Sequence, residues 1–167
     1  MYLRKFLLVF IISLSFESQA SSNIAFVNIA FLFENSDIGK SIKNKLQDIN
    51  QQKSKKFKEI EKNLVQEENE IKKVQNIISK EELDKKILIL KKDVEEFNNE
   101  KKIFLKKLEE IKNEELQNFF SKINPIILEY MEKNSIDLLI EKKNIFIGKS
   151  NIDITDELLL IINNKIK

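Results

Sequence analysis

Two groups of acidic residues, Glu67–Glu68 and Glu81–Glu82–Asp84, are the first candidates for chemistry in this sequence. Carboxylates at such short spacing could act as ligands of a metal ion. The chain, however, contains no His and no Cys and only two Gly, so it has no histidine base, no cysteine nucleophile and no glycine-rich phosphate loop. Because both groups lie among many lysines on segments with a helical pattern, a solvated helix face explains them better. We therefore expect no enzyme activity, no metal site and no cofactor.

Three aliphatic residues are candidates for contact with another polypeptide. In the second of two predicted long helices, apolar residues recur at steps of three and four, and we call this stripe the seam. Turning about 100° per residue from Leu90, the seam stays within about 60° of one direction, whereas Leu88, Ile89 and Ile103 fall on the far side. Scattered among Lys and Glu, they would form a weak, adaptable surface. The alternative is that they are ordinary exposed residues or pack on a neighbouring helix pair.

Lysine is concentrated where the two long helices are predicted to meet. The segment from Ile71 to Lys92 carries seven lysines against three acidic residues, a local balance of +4. We call six of these lysines the basic tip: Lys72, Lys73, Lys85, Lys86, Lys91 and Lys92. A basic tip could steer acidic partners or contact anionic lipid headgroups, with an attraction that salt screens. The alternative is that these lysines only solvate the helices.

The whole chain, in contrast, is nearly neutral. It has 29 basic and 27 acidic residues among 167, a formal charge of +2. This balance indicates an ion-paired, solvated surface and argues against a nucleic-acid-binding protein. A chain of this length would ordinarily form one domain. Long helices leave few residues for a compact core, so we expect other subunits to contribute to it.

The first twenty residues have the pattern of an export signal. Arg4 and Lys5 precede an apolar run from Phe6 to Leu14, and the small residues Ser18 and Ala20 flank Gln19. This arrangement predicts a signal peptide, residues 1–20, cleaved after Ala20. The alternative is an uncleaved anchor, although the apolar run has about half of the roughly 20 residues that span a bilayer.

Residues 40–124 contain neither Gly nor Pro and are rich in Lys, Glu, Leu and Ile, a composition typical of long helices. Ser79 and Glu82 have the spacing of a capping box, so the chain should reverse direction near 76–79. Two helices joined by so short a turn must be antiparallel. The first seam comprises Leu46, Ile49, Phe57, Ile60, Leu64, Ile71, Val74 and Ile78, with Lys53 and Glu67 as polar interruptions. The second comprises Leu83, Ile87, Leu90, Val94, Phe97, Phe104, Leu108 and Ile111, with Lys101 as the polar member.

The two ends of the chain have a different pattern. Short, β-branched and aromatic runs predict a strand from Ile24 that leads into helix near Phe31, and two further strands at 136–141 and 144–148. Pro125 should end or kink the second long helix. A last helix should open at 153–157, capped by Asp153 or Thr155, with residues 158–162 buried. The predicted fold is α+β and mainly helical: a small β body from residues 21–38 and 124–167, and an antiparallel coiled-coil hairpin, the arm, from residues 39–123.

The order of these parts resembles the Skp/OmpH family of periplasmic chaperones. The resemblance rests on the export signal, "IAFVNIAFLF", "SDIGK", a long Lys/Glu hairpin, "NPIILEYMEKNSIDLLIE", "IFIG" and "NIDITDELLLIIN", in this order. It implies a periplasmic homotrimer whose subunits pool their strands into the β body. It also implies that three arms enclose a cavity in which unfolded outer-membrane proteins, the clients, are held without ATP.

A purely structural coiled-coil spacer or adaptor of the cell envelope is the alternative function. The same arms would serve a spacer. A holdase chaperone, which binds unfolded proteins without refolding them, should leave apolar residues outside the seam, whereas a spacer needs none. Leu88, Ile89 and Ile103 therefore favour the chaperone.

Overall fold

The computed structural model describes residues 23–166, and the predicted signal peptide lies outside them. Strand β1 (Ile24–Val27) leads into a short helix α1 (Ile29–Asn35) and then into the long helix α2 (Asp37–Val74). The chain reverses and returns along the second long helix, α3 (Lys80–Lys133). Strand β2 (Leu138–Glu141), two 3₁₀ turns (Lys142–Asn144 and Ser150–Ile152) and a final helix α4 (Thr155–Lys165) complete the described chain. The predicted class, α+β and mainly helical with a long helical hairpin, is confirmed.

The hairpin follows the sequence pattern closely. At 1.5 Å per residue, α2 with 38 residues is about 57 Å long and α3 with 54 residues is about 81 Å long. The side chain of Ser79 caps α3, because its Oγ accepts a hydrogen bond from the Glu82 backbone N–H at 3.3 Å. The predicted reversal near 76–79 is therefore confirmed. Pro125 lies inside α3 and does not end it, since the helix continues to Lys133.

The two strands at the chain ends form a parallel pair. Ile24 lies opposite Leu138, and the register continues to Val27 opposite Glu141. An isolated bridge joins Phe26 to Asp153 on the other side of β1. β1 is therefore the central element of the sheet, and β2 is an edge strand of the described chain.

The third predicted strand, residues 144–148, does not form. Lys142–Asn144 is a 3₁₀ turn, and Phe146 and Ile147 extend into solvent. Strand propensity becomes a strand only where an edge is available for pairing and a surface for packing. Within residues 23–166, no packing surface covers Phe146 and Ile147.

The start of the hairpin depends on two side-chain caps and one glycine. Asn28 caps α1 by accepting from the Phe31 backbone N–H at 3.0 Å, and Ser36 caps α2 by accepting from the Gly39 backbone N–H at 3.2 Å. Only Ser36 separates α1 from α2. Gly39 is buried in the first turn of α2, directly against the carbonyl group of Phe33.

The hydrophobic core lies where the base of the hairpin meets the strands and α4. Leu32, Phe119, Ile123, Leu158 and Ile162 are completely buried there. In α4 the expected burial of every residue from 158 to 162 is wrong, because Leu160 is exposed. An 11-residue helix on a surface buries one stripe only, and Leu158 and Ile162, four residues apart, form that stripe.

Asp153 connects three parts of the body. Its Oδ1 accepts from the Thr155 backbone N–H at 3.1 Å, and its Oδ2 accepts from Lys142 Nζ at 2.8 Å. The Thr155 hydroxyl in turn accepts from the Asn28 backbone N–H at 2.9 Å. The prediction that Asp153 or Thr155 caps this helix is wrong, because the N-cap residue of α4 is Ile154, which makes no side-chain cap hydrogen bond. Partial burial raises the pKa of Asp153, but hydrogen bonds from Lys142 and Thr155 oppose it, and the net pKa is lowered.

We expect Asp153→Asn to destabilise the protein at neutral pH but not in acid. A carboxyl group whose pKa is lower in the folded state stabilises the fold above its unfolded pKa of about 3.8, and this contribution is lost as the pH falls through the folded pKa. The free energy of unfolding should drop by about 1 kcal/mol at pH 7. Urea denaturation at pH 7 and pH 3, with Asp48→Asn on the exposed surface of α2 as control, measures the difference. A deficit of equal size at both pH values would contradict the charged role of Asp153.

Candidate functional site

Beyond the core at its base, the arm has a well-packed aromatic cluster near its middle. Phe57 is buried between Phe97 and Phe104, with ring centroids 5.7 Å and 5.6 Å away in edge-to-face geometry. The polar seam residues lie on this cluster. Lys53 Nζ is 4.9 Å from the centroid of the Phe57 ring, and Lys101 Nζ is 5.9 Å from that of Phe97. Both lysines thus make cation–π contacts with the rings, and these contacts account for two charged residues in an apolar seam.

No other side chain between residues 58 and 118, all of which the structure describes, is buried. Two helices without a third layer cannot enclose a core, so the seam residues keep part of their surface in solvent. Val94, predicted to lie in the seam, is exposed. The arm therefore presents a partly open apolar surface along most of its length.

The three predicted client-binding residues are all strongly exposed. The exposed fraction is 70% for Leu88 and 59% for both Ile89 and Ile103. The structure does not bring them together. Ile103 lies 14 residues, or about 21 Å, along α3 from Ile89. Leu88, next to Ile89 in the sequence, points about 100° away from Ile89 around the helix axis. Ile89 alone lies on a groove, which is formed with seam residues of both helices close to the hairpin turn.

Further exposed apolar residues were not foreseen from the sequence. On the arm they are Val65, Ile77, Leu105 and Phe120. On the body they are Ile24, Phe31, Leu128, Leu138, Phe146, Ile147 and Leu160. The angular positions around the helix axis that single out Leu88, Ile89 and Ile103 concern one stretch of α3. The same geometry on α2 places Val65 outside the seam, because it follows the seam residue Leu64 by one position.

All six lysines of the basic tip are exposed. Lys72 forms an ion pair with Glu68 at 2.6 Å, and Lys92 forms one with Glu96 at 3.6 Å. Exposed pairs one helical turn apart contribute little to stability. Lys86 lies on the groove near the turn. The tip is thus basic in composition but does not present all six charges in one direction.

Charged residues also connect the helices at the base of the arm. Lys45 Nζ lies 2.5 Å from Glu115 Oε1, and this hydrogen bond raises the pKa of Lys45. Glu129 on α3 accepts from Lys133 and from Lys165 of α4, and these two hydrogen bonds lower its pKa to about 2. These pairs link α2 to α3 and α3 to α4.

The acidic groups of the sequence are also dispersed. Within residues 23–166, no three carboxylates lie close enough to hold a metal ion. Among the same residues, no helix is both long and apolar enough to cross a membrane.

Comparison with known proteins gives a family match and a group of similar solved structures. The family described as outer membrane protein (OmpH-like) matches residues 23–161. A crystal structure from Caulobacter crescentus, of a candidate outer membrane chaperone (OmpH-like), superposes with a TM-score of 0.79 at 17% sequence identity, covering 89% of this chain and 88% of that one. A search among curated proteins gave no match.

Proposed function

Because the chain belongs to the OmpH-like family of outer membrane proteins, we propose that it is a periplasmic holdase chaperone. It binds unfolded outer-membrane proteins and prevents their aggregation on the way to the outer membrane, without ATP. The family is not an enzyme family. The match over most of the described chain and the similar fold of a candidate chaperone support the role.

One observation carries the proposal: the arm leaves apolar side chains in solvent among a dense set of charges. Leu88, Ile89 and Ile103 are exposed on a helix that has no third layer to cover them. Isolated aliphatic residues give many weak contacts of low specificity, which suits clients of different sequence. The surrounding Lys and Glu residues keep the free arm soluble.

We also propose that the protein acts as a homotrimer. The body, residues 21–38 and 124–167, has a two-stranded sheet with an open edge at β2, and open edges favour pairing with another chain. Symmetry mates would remove these edges. Three arms, residues 39–123, would then surround a common cavity for the client.

Export to the periplasm belongs to the same proposal. The signal peptide would be cleaved after Ala20, and the basic tip would add contact with anionic lipid headgroups. No part of the proposal involves nucleic acid.

The chaperone assay is suppression of aggregation when a urea-denatured β-barrel protein is diluted into buffer. Replacing Leu88, Ile89 and Ile103 with serine should raise the concentration needed for half-protection at least roughly threefold, a loss of about 0.6 kcal/mol. These side chains lie outside the seam, so helicity should be unchanged. The matched control replaces three exposed polar residues of α3, Asn98, Asn99 and Gln117, with serine.

Two results would contradict the proposal in different ways. Equal protection by the triple variant would mean that these aliphatic residues are not the client surface. Failure of the parent protein to prevent aggregation would instead favour the structural spacer.

A further inference from the structure

We propose that the groove beside the hairpin turn is a specific binding site for polypeptide segments in which aliphatic residues alternate with lysine or arginine. The inference rests on the proposed function and deepens it, because it assigns one class of client segment to one place on the arm. The basic composition of the tip does not suggest such a site.

The walls of the groove are aliphatic and come from both helices. Ile71 and Val74 line it from the end of α2, Ile78 from the turn, and Ile89 and Leu90 from α3. Its volume is about 510 Å³, within the range of about 300–1,000 Å³ typical of ligand sites. None of the five wall residues is buried. They therefore offer apolar surface that a bound side chain can remove from water.

The rim of the groove is acidic. Glu67, Glu70, Glu82 and Asp93 line it, against one lysine, Lys86, which gives a local balance of −3. Glu70 accepts a hydrogen bond from the Gln66 side chain at 3.1 Å. Among the ion pairs of residues 23–166, none involves these four carboxylates. They are available to cationic side chains of a partner.

The sign of this rim is opposite to that of the surrounding sequence. The segment from Ile71 to Lys92 has a balance of +4, yet only one of its seven lysines, Lys86, lines the groove. Acidic residues therefore surround the apolar groove, and the other six lysines lie elsewhere on the tip. Charge complementarity selects a partner by sign, so an aliphatic segment with basic neighbours fits best.

The groove also coincides with a break in the seam. Glu67 occupies a seam position, where an apolar residue would pack against α3, and it lines the groove instead. Ile89 lies outside the seam but faces the same groove. These two departures from the coiled-coil pattern thus meet at one place.

A second groove, nearer the middle of the arm, provides an internal comparison. It has a volume of about 290 Å³ and an apolar floor that includes Phe104 and Leu108. Its charged lining residues are all basic: Lys53, Lys56 and Lys107. Apolar exposure is therefore common to both grooves, whereas the sign of the rim differs.

The test is fluorescence anisotropy with two labelled peptides, one alternating leucine and lysine and the other alternating leucine and glutamate. The protein is the chain from residue 21 to 167. We expect the parent to bind the lysine peptide at least tenfold more tightly. Glu67→Gln, Glu70→Gln and Asp93→Asn together should reduce that affinity about tenfold, or 1.4 kcal/mol. The matched control, with the same change in net charge, is Glu59→Gln, Glu61→Gln and Glu95→Gln, on exposed positions that do not line the groove.

An equal loss in both triple variants would overturn the proposal, because it would indicate general charge attraction. Equal binding of a peptide with serine in place of leucine would overturn it too, since the apolar walls would then be unused. If no peptide binds through the groove, for example because a neighbouring arm fills the groove, the proposal is overturned as well. Circular dichroism of each variant checks that the helices persist.

The outcome can be separated from that of the chaperone proposal. If the parent suppresses aggregation but shows no groove-dependent preference for the lysine peptide, the groove assignment fails and the chaperone function stands. If the parent binds the peptide through the groove but does not suppress aggregation, the chaperone function fails and the binding site stands.

Discussion

Replacing Gly39 with alanine is expected to destabilise the protein by about 3 kcal/mol, the upper end of the usual cost of overpacking. A Cβ atom at this position would lie 1.7 Å from the Phe33 carbonyl oxygen and 2.7 Å from its carbon. These are backbone atoms of α1, and they cannot rotate away as a side chain would. Leu32 and Ser36, on either side of this contact, are completely buried, which leaves α1 little room to move.

The direction of the effect makes the Gly39 test decisive. Within a helix, Gly→Ala ordinarily stabilises by about 1 kcal/mol. Chemical denaturation should instead give a loss, and the melting temperature should fall by roughly 6–12 °C. Gly148→Ala is the control, because the atoms nearest to its Cβ would belong to side chains and not to the backbone: the Phe26 ring edge at 3.0 Å and the Ile145 side chain at 3.5 Å. A Gly39→Ala variant as stable as the parent would contradict the close approach of α1 and α2.

Replacing Phe146 and Ile147 with serine is expected to convert the proposed trimer into monomers. Both side chains extend into solvent from a segment with strand-like sequence that is unpaired in the described chain. An exposed Phe can bury about 150–250 Å² in an interface, and loss of such anchors typically costs several kcal/mol of association free energy. Light scattering should give a mass near three chains for the parent and near one chain for the variant.

The arms keep their own contacts, so the Phe146/Ile147 variant should retain its helicity. Val65→Ser with Leu105→Ser, which removes two exposed apolar residues from the arm, is the matched control and should remain trimeric. A trimeric double-serine variant would place the interface elsewhere, and a monomeric parent would refute the trimer itself.

The arm could be predicted from the sequence because its determinants are local. A tract free of Gly and Pro, a repeat at steps of three and four, and the pair Ser79 and Glu82 act within one or two helical turns, and each led to the observed structure. The exposure of Leu88, Ile89 and Ile103 follows from the same helical geometry.

The body was predicted less completely because its structure depends on distant partners. Residues 144–148 have strand propensity but no surface that covers Phe146 and Ile147, and Leu160 faces solvent although Leu158 is buried and Leu159 is partly buried. The groove near the turn was not foreseen either. Its shape depends on side chains of both long helices and of the turn, although Glu67 in the seam was a usable signal.

The parallel pairing of β1 with β2 bears on how the chain folds. Ile24 and Leu138 are neighbours in the sheet but 114 positions apart along the chain. Contacts so distant in sequence form slowly, because a disordered loop of this length must first close. The helical hairpin between them forms through local contacts and returns the chain to within reach of its start. We therefore expect the hairpin to form first, from the turn at Ser79 toward Phe119, and to bring the two strands together before either is paired. The arm would in this way assist the folding of its own chain.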